Sequence, residues 1–327
     1  MTAIPLRRRT MLSTLALPVV ARTAFAQDTN FPTRPVRLVI AFPPGGSSDI
    51  IARMAAEKLA ARIGQPVVPE NRPGAGAMIA AEAVARAAPD GHTIMFGSST
   101  LCVTAATMRN PPVEVLRDLA PINNLVEAPM LLVASRNAPF ATLQEMLAWA
   151  RANPGKLNIG IPGAGSSNHL GIDMFIRQAG INAEIVPYQG NAPQLTALIR
   201  GDIPVVTDNI GTSSGFLRDG SIRALAVTSA RRNALLPEVP TVAEAANLLG
   251  YATSFWFGLL APKATPAPIL SRLEREAAAI MTQQDILTAV QAQGYEAVAF
   301  GAEQFRQRIA ADIEQMTKAA REAGITT

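Results

Sequence analysis

Two short stretches carry most of the chemistry in this chain: "AFPPGGSSD", Ala41 to Asp49, and "IPGAGSSNH", Ile161 to His169. Each sets glycines and paired serines between an apolar run and a segment with helical spacing. The first N–H groups of a helix have no partner inside it, and the helix dipole puts partial positive charge there. Glycine removes the Cβ that would hold a ligand off the backbone, and serine adds hydroxyl donors. Such a loop suits a carboxylate or a phosphate. Read singly, Ser48 and Ser167 serve equally well as ordinary helix N-caps. The recurrence of the pattern in two distant parts of the chain points to one ligand shared between two halves.

Other chemistries are poorly supported. Gly74-Ala75-Gly76 starts a dinucleotide fingerprint, but Ile79 stands at the third glycine position and Pro73 interrupts the approach. There is no Walker Gly-Lys-Ser/Thr. Ser167, His169 and Asp208 can be assembled into a hydrolytic triad, yet "GSSNH" lacks the second glycine of a nucleophile elbow. A Ser-dependent hydrolase is therefore the weakest alternative, and no catalytic residue is expected. Cys102 is the single cysteine, and His92 and His169 are the only histidines, so neither a disulfide nor a metal cluster is expected, and no cofactor.

The elements that must position these loops are legible from periodicity. Val36 to Phe42 reads as a buried strand, and Ile51, Ala55, Leu59 and Ile63 form one helix face that Gly64 ends. Pro66 to Val68 reads as a strand, Met78 to Ala87 as a helix and Thr93 to Gly97 as a strand. The alternation resumes with Met130 to Ala134, Leu143 to Ala152, Asn158 to Ile161 and His169 to Ala179. Glu184 to Val186, Ala192 to Arg200, Val205 to Asp208, Gly211 to Asp219 and Ala224 to Val227 continue it. Phe255 to Ala261 reads as a strand, and the end reads as helical, with Phe305, Ile309, Ile313 and Met316 on one face. Strand alternating with helix predicts an α/β fold of mostly parallel sheets flanked by helices. In such sheets ligands bind at the carboxyl edge. Two more polar loops fall there: Ser98, Ser99 and Thr100, and the segment after Asp208.

Arg7, Arg8 and Arg9 precede an apolar stretch, and Ala24-Phe25-Ala26 has the form of a signal-peptidase site, so residues 1–26 read as a signal peptide. Arg8 to Leu12 approximates a twin-arginine export motif, leaving the two export routes open. The chain has 29 Lys+Arg and 25 Asp+Glu; residues 1–26 hold four arginines and no acid, so the remainder is 25 − 25 = 0. The basic balance belongs to the signal and offers nothing to nucleic acid. About 300 remaining residues suggest two domains.

The stretch from Arg34 to Thr100, with "NPGKLNIGIPGAGSSNHLG", "VPYQGNAPQLTALIRGDI", "IRALAVTSARRNALLPEVPTVAEA" and "FWFGLLAPKATP", resembles the Bug-type receptors. These are the periplasmic substrate-binding proteins of tripartite tricarboxylate transporters. The resemblance implies a two-lobed periplasmic-binding-protein (Venus flytrap, type II) fold, with lobe 1 at 27–131 and 253–327 and lobe 2 at 132–252. Hinges are expected near Met130 to Val133 and Thr253 to Phe257. It implies a small organic carboxylate in the cleft, held by Phe42, Pro44, Gly45, Gly46, Ser47, Ser48 and Asp49 and by Ser98, Ser99 and Thr100. From the second lobe come Gly165, Ser166, Ser167, Asn168, His169, Tyr188 and Asp208. No arginine lies in these loops, so backbone amides and water are expected to do the binding rather than a bidentate clamp. Ser47, Asn168, Gln189, Asn191, Pro204 and Thr207 depart from the usual pattern, mostly in the second lobe, and bear on which ligand is bound rather than on the fold. The implied partner is a membrane permease, with a sensor kinase as the alternative, and the implied state is a periplasmic monomer.

Overall fold

A computed structural model of the chain describes residues 30–163 and 167–323. The signal-peptide expectation, and Gly165 and Ser166, lie outside the described residues. The chain begins β1 (Val36–Ile40), α1 (Ser47–Ile63), β2 (Val67–Asn71), α2 (Met78–Ala85), β3 (Thr93–Ser98), α3 (Thr100–Thr107), α4 (Val115–Asp118) and β4 (Leu119–Pro129). It continues as β5 (Leu131–Ser135), α5 (Leu143–Ala152), β6 (Leu157–Ile161), α6 (Ser167–Ala179), β7 (Ala183–Pro187), α7 (Asn191–Arg200), β8 (Val205–Asp208), α8 (Ile210–Arg218), β9 (Ile222–Val227) and α9 (Val242–Ala246). It ends with β10 (Ser254–Pro262), α10 (Ala267–Ile280), α11 (Gln284–Ala292), β11 (Glu296–Gly301) and α12 (Ala302–Ala323).

The strands form two sheets, ordered β11-β4-β10-β3-β1-β2 and β7-β6-β8-β5-β9. Helices cover both faces of each. In the first sheet Leu38 and Ile40 face α1, α10 and α11, packing on Ile51, Leu59 and Leu273. Val39 faces the other way, toward Met78, Leu101 and Phe305. The predicted helix face of Ile51, Ala55, Leu59 and Ile63 is buried throughout, and Gly64 closes α1 in the left-handed conformation at φ 76°. The second sheet repeats the plan, with Leu132 and Ala134 against α5 and α6 and Leu131 and Val133 against α7 and α8.

Most strands of each sheet run the same way, as expected: β1, β2, β3 and β4 in the first, with β10 and β11 against them, and β6, β7, β8 and β9 in the second, with β5 against them. The chain passes from β4 to β5 through Met130 alone, and returns from β9 to β10. A strand that enters a sheet from the cleft side runs against those that end there, which sets β5 and β10 antiparallel to their neighbours. The expected last helix is α12, and Glu296–Gly301, which the sequence reading leaves unassigned, adds an edge strand to β4 ahead of it. Its burial is half-way throughout, with no clean alternation to mark it.

Both crossings meet at Thr228. Its N–H donates to Met130 O and its hydroxyl to Thr253 O (2.7 Å), while it accepts from Met130 N (2.9 Å) and Thr253 N. The polypeptide is thus stapled where it changes sheets. The predicted face of α12 serves both halves: Phe305 and Ile309 pack under the first sheet, Met316 on Val103 and Leu170, and Ala319 in the core of the second. Among the described residues no helix is long and apolar enough to cross a membrane.

Candidate functional site

β1, β3, β6 and β8 all end at the face where the chain crosses between sheets. There lies a cleft of about 190 Å³ lined by Met130, Pro162, Asn168, Asn191, Asp208, Asn209, Phe255 and Tyr295, among others. It shares Met130, Asn168 and Phe255 with a constriction of about 10 Å³ that also touches Ser99, Ser167 and Thr253. That volume is about the room for one oxygen-sized group.

The constriction is chemically unfinished. Ser99 Oγ, Ser167 Oγ and Thr253 Oγ1 are all buried without a hydrogen-bond partner. They come from the N-cap of α3, the first turn of α6 and the crossing before β10. A buried hydroxyl left unpaired costs about 1–3 kcal/mol, so three at one point mark a place that a polar group completes. Among the described residues Ser167 Oγ has no hydrogen-bonded base.

On the other wall Asp208 is almost fully buried and accepts from Asn191 Nδ2, Thr212 Oγ1 (2.5 Å) and Ser213 Oγ (2.6 Å). None of these donors is an imidazole. Asn209 caps α8 by accepting from Thr212 N (2.9 Å). Asn168 Nδ2 donates to Thr207 Oγ1 (3.3 Å), whose own proton goes to Gly160 O (3.5 Å).

The first loop is held from below rather than by a cap. Gly46 is the N-cap of α1 and no side chain satisfies that helix end. Gly45 turns the chain at φ 89°, a region that a side chain rarely adopts. Its N–H donates to Asp49 (3.0 Å), which also accepts from Arg53 Nε (2.9 Å) and Asn71 Nδ2 (2.8 Å). Asn71 Nδ2 reaches Phe42 O as well. Asp49 is thereby the stitch that shapes the loop. The hydrogen bond from Arg53, aided by those from Asn71 and Gly45 and opposed by burial, lowers its pKa from 3.8 to about 2.

A pH signature follows. A carboxylate with a depressed folded-state pKa stabilises fully above its unfolded pKa and loses that contribution as pH falls through the folded one, so the window runs from about pH 5 down to about pH 2. Asp49→Ala is expected to cost about 1–3 kcal/mol at neutral pH, with the gap to the parent narrowing across that window. Denaturant unfolding at several pH values reads this. A gap that stays constant would remove Asp49 from the loop's support.

The remaining predicted residues stand around the cleft rather than in its lining. Phe42 packs edge-on to Phe257, with ring centroids 5.8 Å apart. Pro44 is exposed, Ser47 opens α1, and Ser48 is buried in its first turn. The predicted reading of Ser48 as N-cap thus shifts to Gly46. Ser98 accepts from Thr100 N (3.2 Å), closing the turn into α3. Burial lowers the pKa of His169 against the opposing pull of Asp173. Tyr188 packs in the second sheet's core, where burial raises its pKa. Ser99, Ser167, Asn168 and Asp208 are the predicted residues that reach the cleft lining. Thr253, Asn191, Asn209 and Tyr295 line it without having been singled out as contacts. Asn191 had one signal, its departure from the family's usual serine.

Two mixed sheets, two stapled crossings and a polar cleft between them define a two-lobed solute-binding protein. The chain belongs to the tripartite tricarboxylate transporter family receptors, whose family model matches residues 51–325. BugT of Bordetella pertussis is 34% identical over 95% of this chain and 93% of its own length. An R. palustris protein solved with adipate is 33% identical, with a TM-score of 0.75 covering 90% of this chain and 99% of that one. MatC from Rhodopseudomonas palustris, solved with bound malate, is 31% identical with a TM-score of 0.72 over 88% of this chain and 99% of that one.

Proposed function

We propose that this protein is a periplasmic receptor that captures a small organic carboxylate between its lobes and delivers it to a membrane permease of the tripartite tricarboxylate type. The observation that carries the reading is the convergence of three unpartnered hydroxyls, Ser99, Ser167 and Thr253, on one constriction. Hydroxyl donors and uncapped helix starts are what a carboxylate needs where, among the described residues, no Lys, Arg or His lines the cavity. The adipate and malate of the two similar structures support the same ligand class.

In this reading lobe 1 comprises residues 27–131 and 253–327 and lobe 2 residues 132–252, hinged at the Thr228 staple. Ser99 and Ser167 face the carboxylate from opposite lobes. The loop from Phe42 to Asp49 follows β1, the strand beside β3 in the first sheet, and contributes backbone N–H groups, with Asp49 as a positioning residue. His169 and Tyr188 support the second lobe's loops. The protein works as a monomer, carries out no turnover, and reaches the periplasm through a signal at residues 1–26.

Thermal unfolding of the stripped protein against a panel of small organic acids tests this. A ligand at about 100 times its Kd adds roughly 2.7 kcal/mol to the folded state, a shift of several degrees for a protein of this size. A response confined to a few related acids is expected. A flat response from a folded, empty protein would sink the receptor reading.

A further inference from the structure

Three contacts from the half built on the second sheet end on a single carboxylate of the other half. Glu296 opens β11 at the edge of the first sheet. Its Oε1 accepts from Asn233 Nδ2 (2.7 Å) and from Ala234 N (3.1 Å), both in the segment between β9 and α9. Arg231 Nη2 stands 3.9 Å from Oε2, but its side chain is 74% exposed, and so open an ion pair adds little. Asn233 is buried, and its Oδ1 accepts from Leu235 N (2.9 Å), which turns its NH2 toward Glu296. The segment is shaped within its own half. Ser229 Oγ donates to Arg231 O (2.6 Å), Arg232 to Glu244 (2.9 Å) and Pro237 O (3.1 Å), and Leu236 N to Asn233 O (3.1 Å). The bonds to Glu296 are an addition to that fold and not its support. Around Glu296 the chain follows the line where the halves meet. Gly294 lies so close to Gly211 that a Cβ would overlap Gly211 N. Tyr295 lines the ligand cleft, and Glu296, the next residue, lines a second cavity of about 770 Å³ together with Asn233. The pair borders that space, so water takes the place of its bonds when the halves part.

We infer that Glu296 is a latch between the lobes, which takes hold of Asn233 and Ala234 after the ligand has entered and sets how long it stays. Glu296 is a positioning residue: it acts through the population of the closed form and not by touching the ligand. Apparent affinity falls with the fraction of molecules able to close. Because the ligand enters before the lobes meet, loss of the latch shows in release rather than in capture. The inference rests on the receptor reading above and names the contact that regulates its closing.

Asn233→Asp tests it, being nearly isosteric and keeping the acceptor for Leu235 N while it sets a second carboxylate against Glu296. The probes are malate and adipate. Calorimetry and stopped-flow release are read on the stripped protein, and small-angle scattering without either acid. Whichever acid binds the parent is expected to bind Asn233→Asp about tenfold more weakly, chiefly through faster release. Adding Glu296→Gln exchanges donor and acceptor across the pair and should restore the parent's affinity and release rate. A merely structural role for either residue predicts that two substitutions do more damage than one. Glu296→Ala, which removes the acceptor from an edge strand, should show the same loss and serves if Asn233→Asp does not fold. Parent-like binding by the folded single variant overturns the latch, and so does a double variant weaker than the single. If neither acid binds the parent, scattering decides. The radius of gyration of Asn233→Asp must then exceed the parent's and return to it in the double variant; equal values overturn the latch. Failure of every small acid to bind, with scattering as expected, overturns the receptor reading and leaves the latch standing.

Discussion

Arg308→Met is expected to lower the unfolding free energy by about 3 kcal/mol, the largest stability loss we expect from one side chain. Arg308 lies on α12 and reaches two carboxylates, Glu127 on β4 (2.7 Å) and Asp312 one turn further along its own helix (2.8 Å). Its second amino group meets Ser254 Oγ (2.7 Å) at the start of β10. Asp312 in turn accepts from the buried Trp256 Nε1 (2.8 Å). One guanidinium therefore joins the outgoing crossing strand, the returning one and the last helix. Glu127 and Asp312 are only 18% and 11% exposed at their side chains, so removing the cation strands two mostly buried carboxylates. The cost is that of leaving charges unpaired, not the net worth of the pairs. Arg308→Lys, which keeps the charge but not the planar fork, should fall between. Urea unfolding of the three proteins measures this; a methionine variant within about 0.5 kcal/mol of the parent, the range of an ordinary surface change, would show that the network does not brace the crossings.

That network marks where sequence reading stops. The α1 face of Ile51, Ala55, Leu59 and Ile63 announces itself because helix periodicity is local. So do the glycine-serine loops, whose composition alone suggests a ligand. Arg308, Glu127 and Ser254 are far apart in sequence and unremarkable in type, and their meeting depends on two long strands lying side by side. The antiparallel strands β5, β10 and β11 were hidden for a related reason. Alternation of strand and helix predicts parallel neighbours, but it does not say which strands carry the chain from one sheet to the other. In the cleft, Ser99, Ser167, Asn168 and Asp208 were legible from their position after strands. For Asp208 the sequence leaves open a ligand contact or a cap on the next helix, and its oxygens are occupied by Asn191, Thr212 and Ser213. Thr253 and Tyr295 belong to segments whose local pattern says only that they are buried, and their place in the cleft lining is a property of the assembled lobes.

Gly211→Ala is expected to weaken ligand binding about tenfold or more while leaving the empty protein folded. Gly211 opens α8, three residues past Asp208, and lies against the chain just before Tyr295 from the other lobe. A Cβ there would sit 2.8 Å from Gln293 O and 2.9 Å from its carbonyl carbon. Both are backbone atoms, so no rotamer change can make room, and the lobes must part at the cleft rim instead. Within its own helix the substitution is favourable by about 1 kcal/mol, because alanine is the better helix former. The penalty therefore falls on the closed arrangement and not on either lobe. An apparent affinity falls in proportion to the fraction of molecules able to close, which is what titration with an acid found by thermal shift would read. Gly215→Ala, one turn along α8 with nothing within 4 Å of its added Cβ, gains the same helix propensity and should bind as the parent does. If Gly211→Ala also binds like the parent, the contact with Gln293 is not part of the ligand-bound form. The hinge then closes along a different line from the one where the lobes now touch.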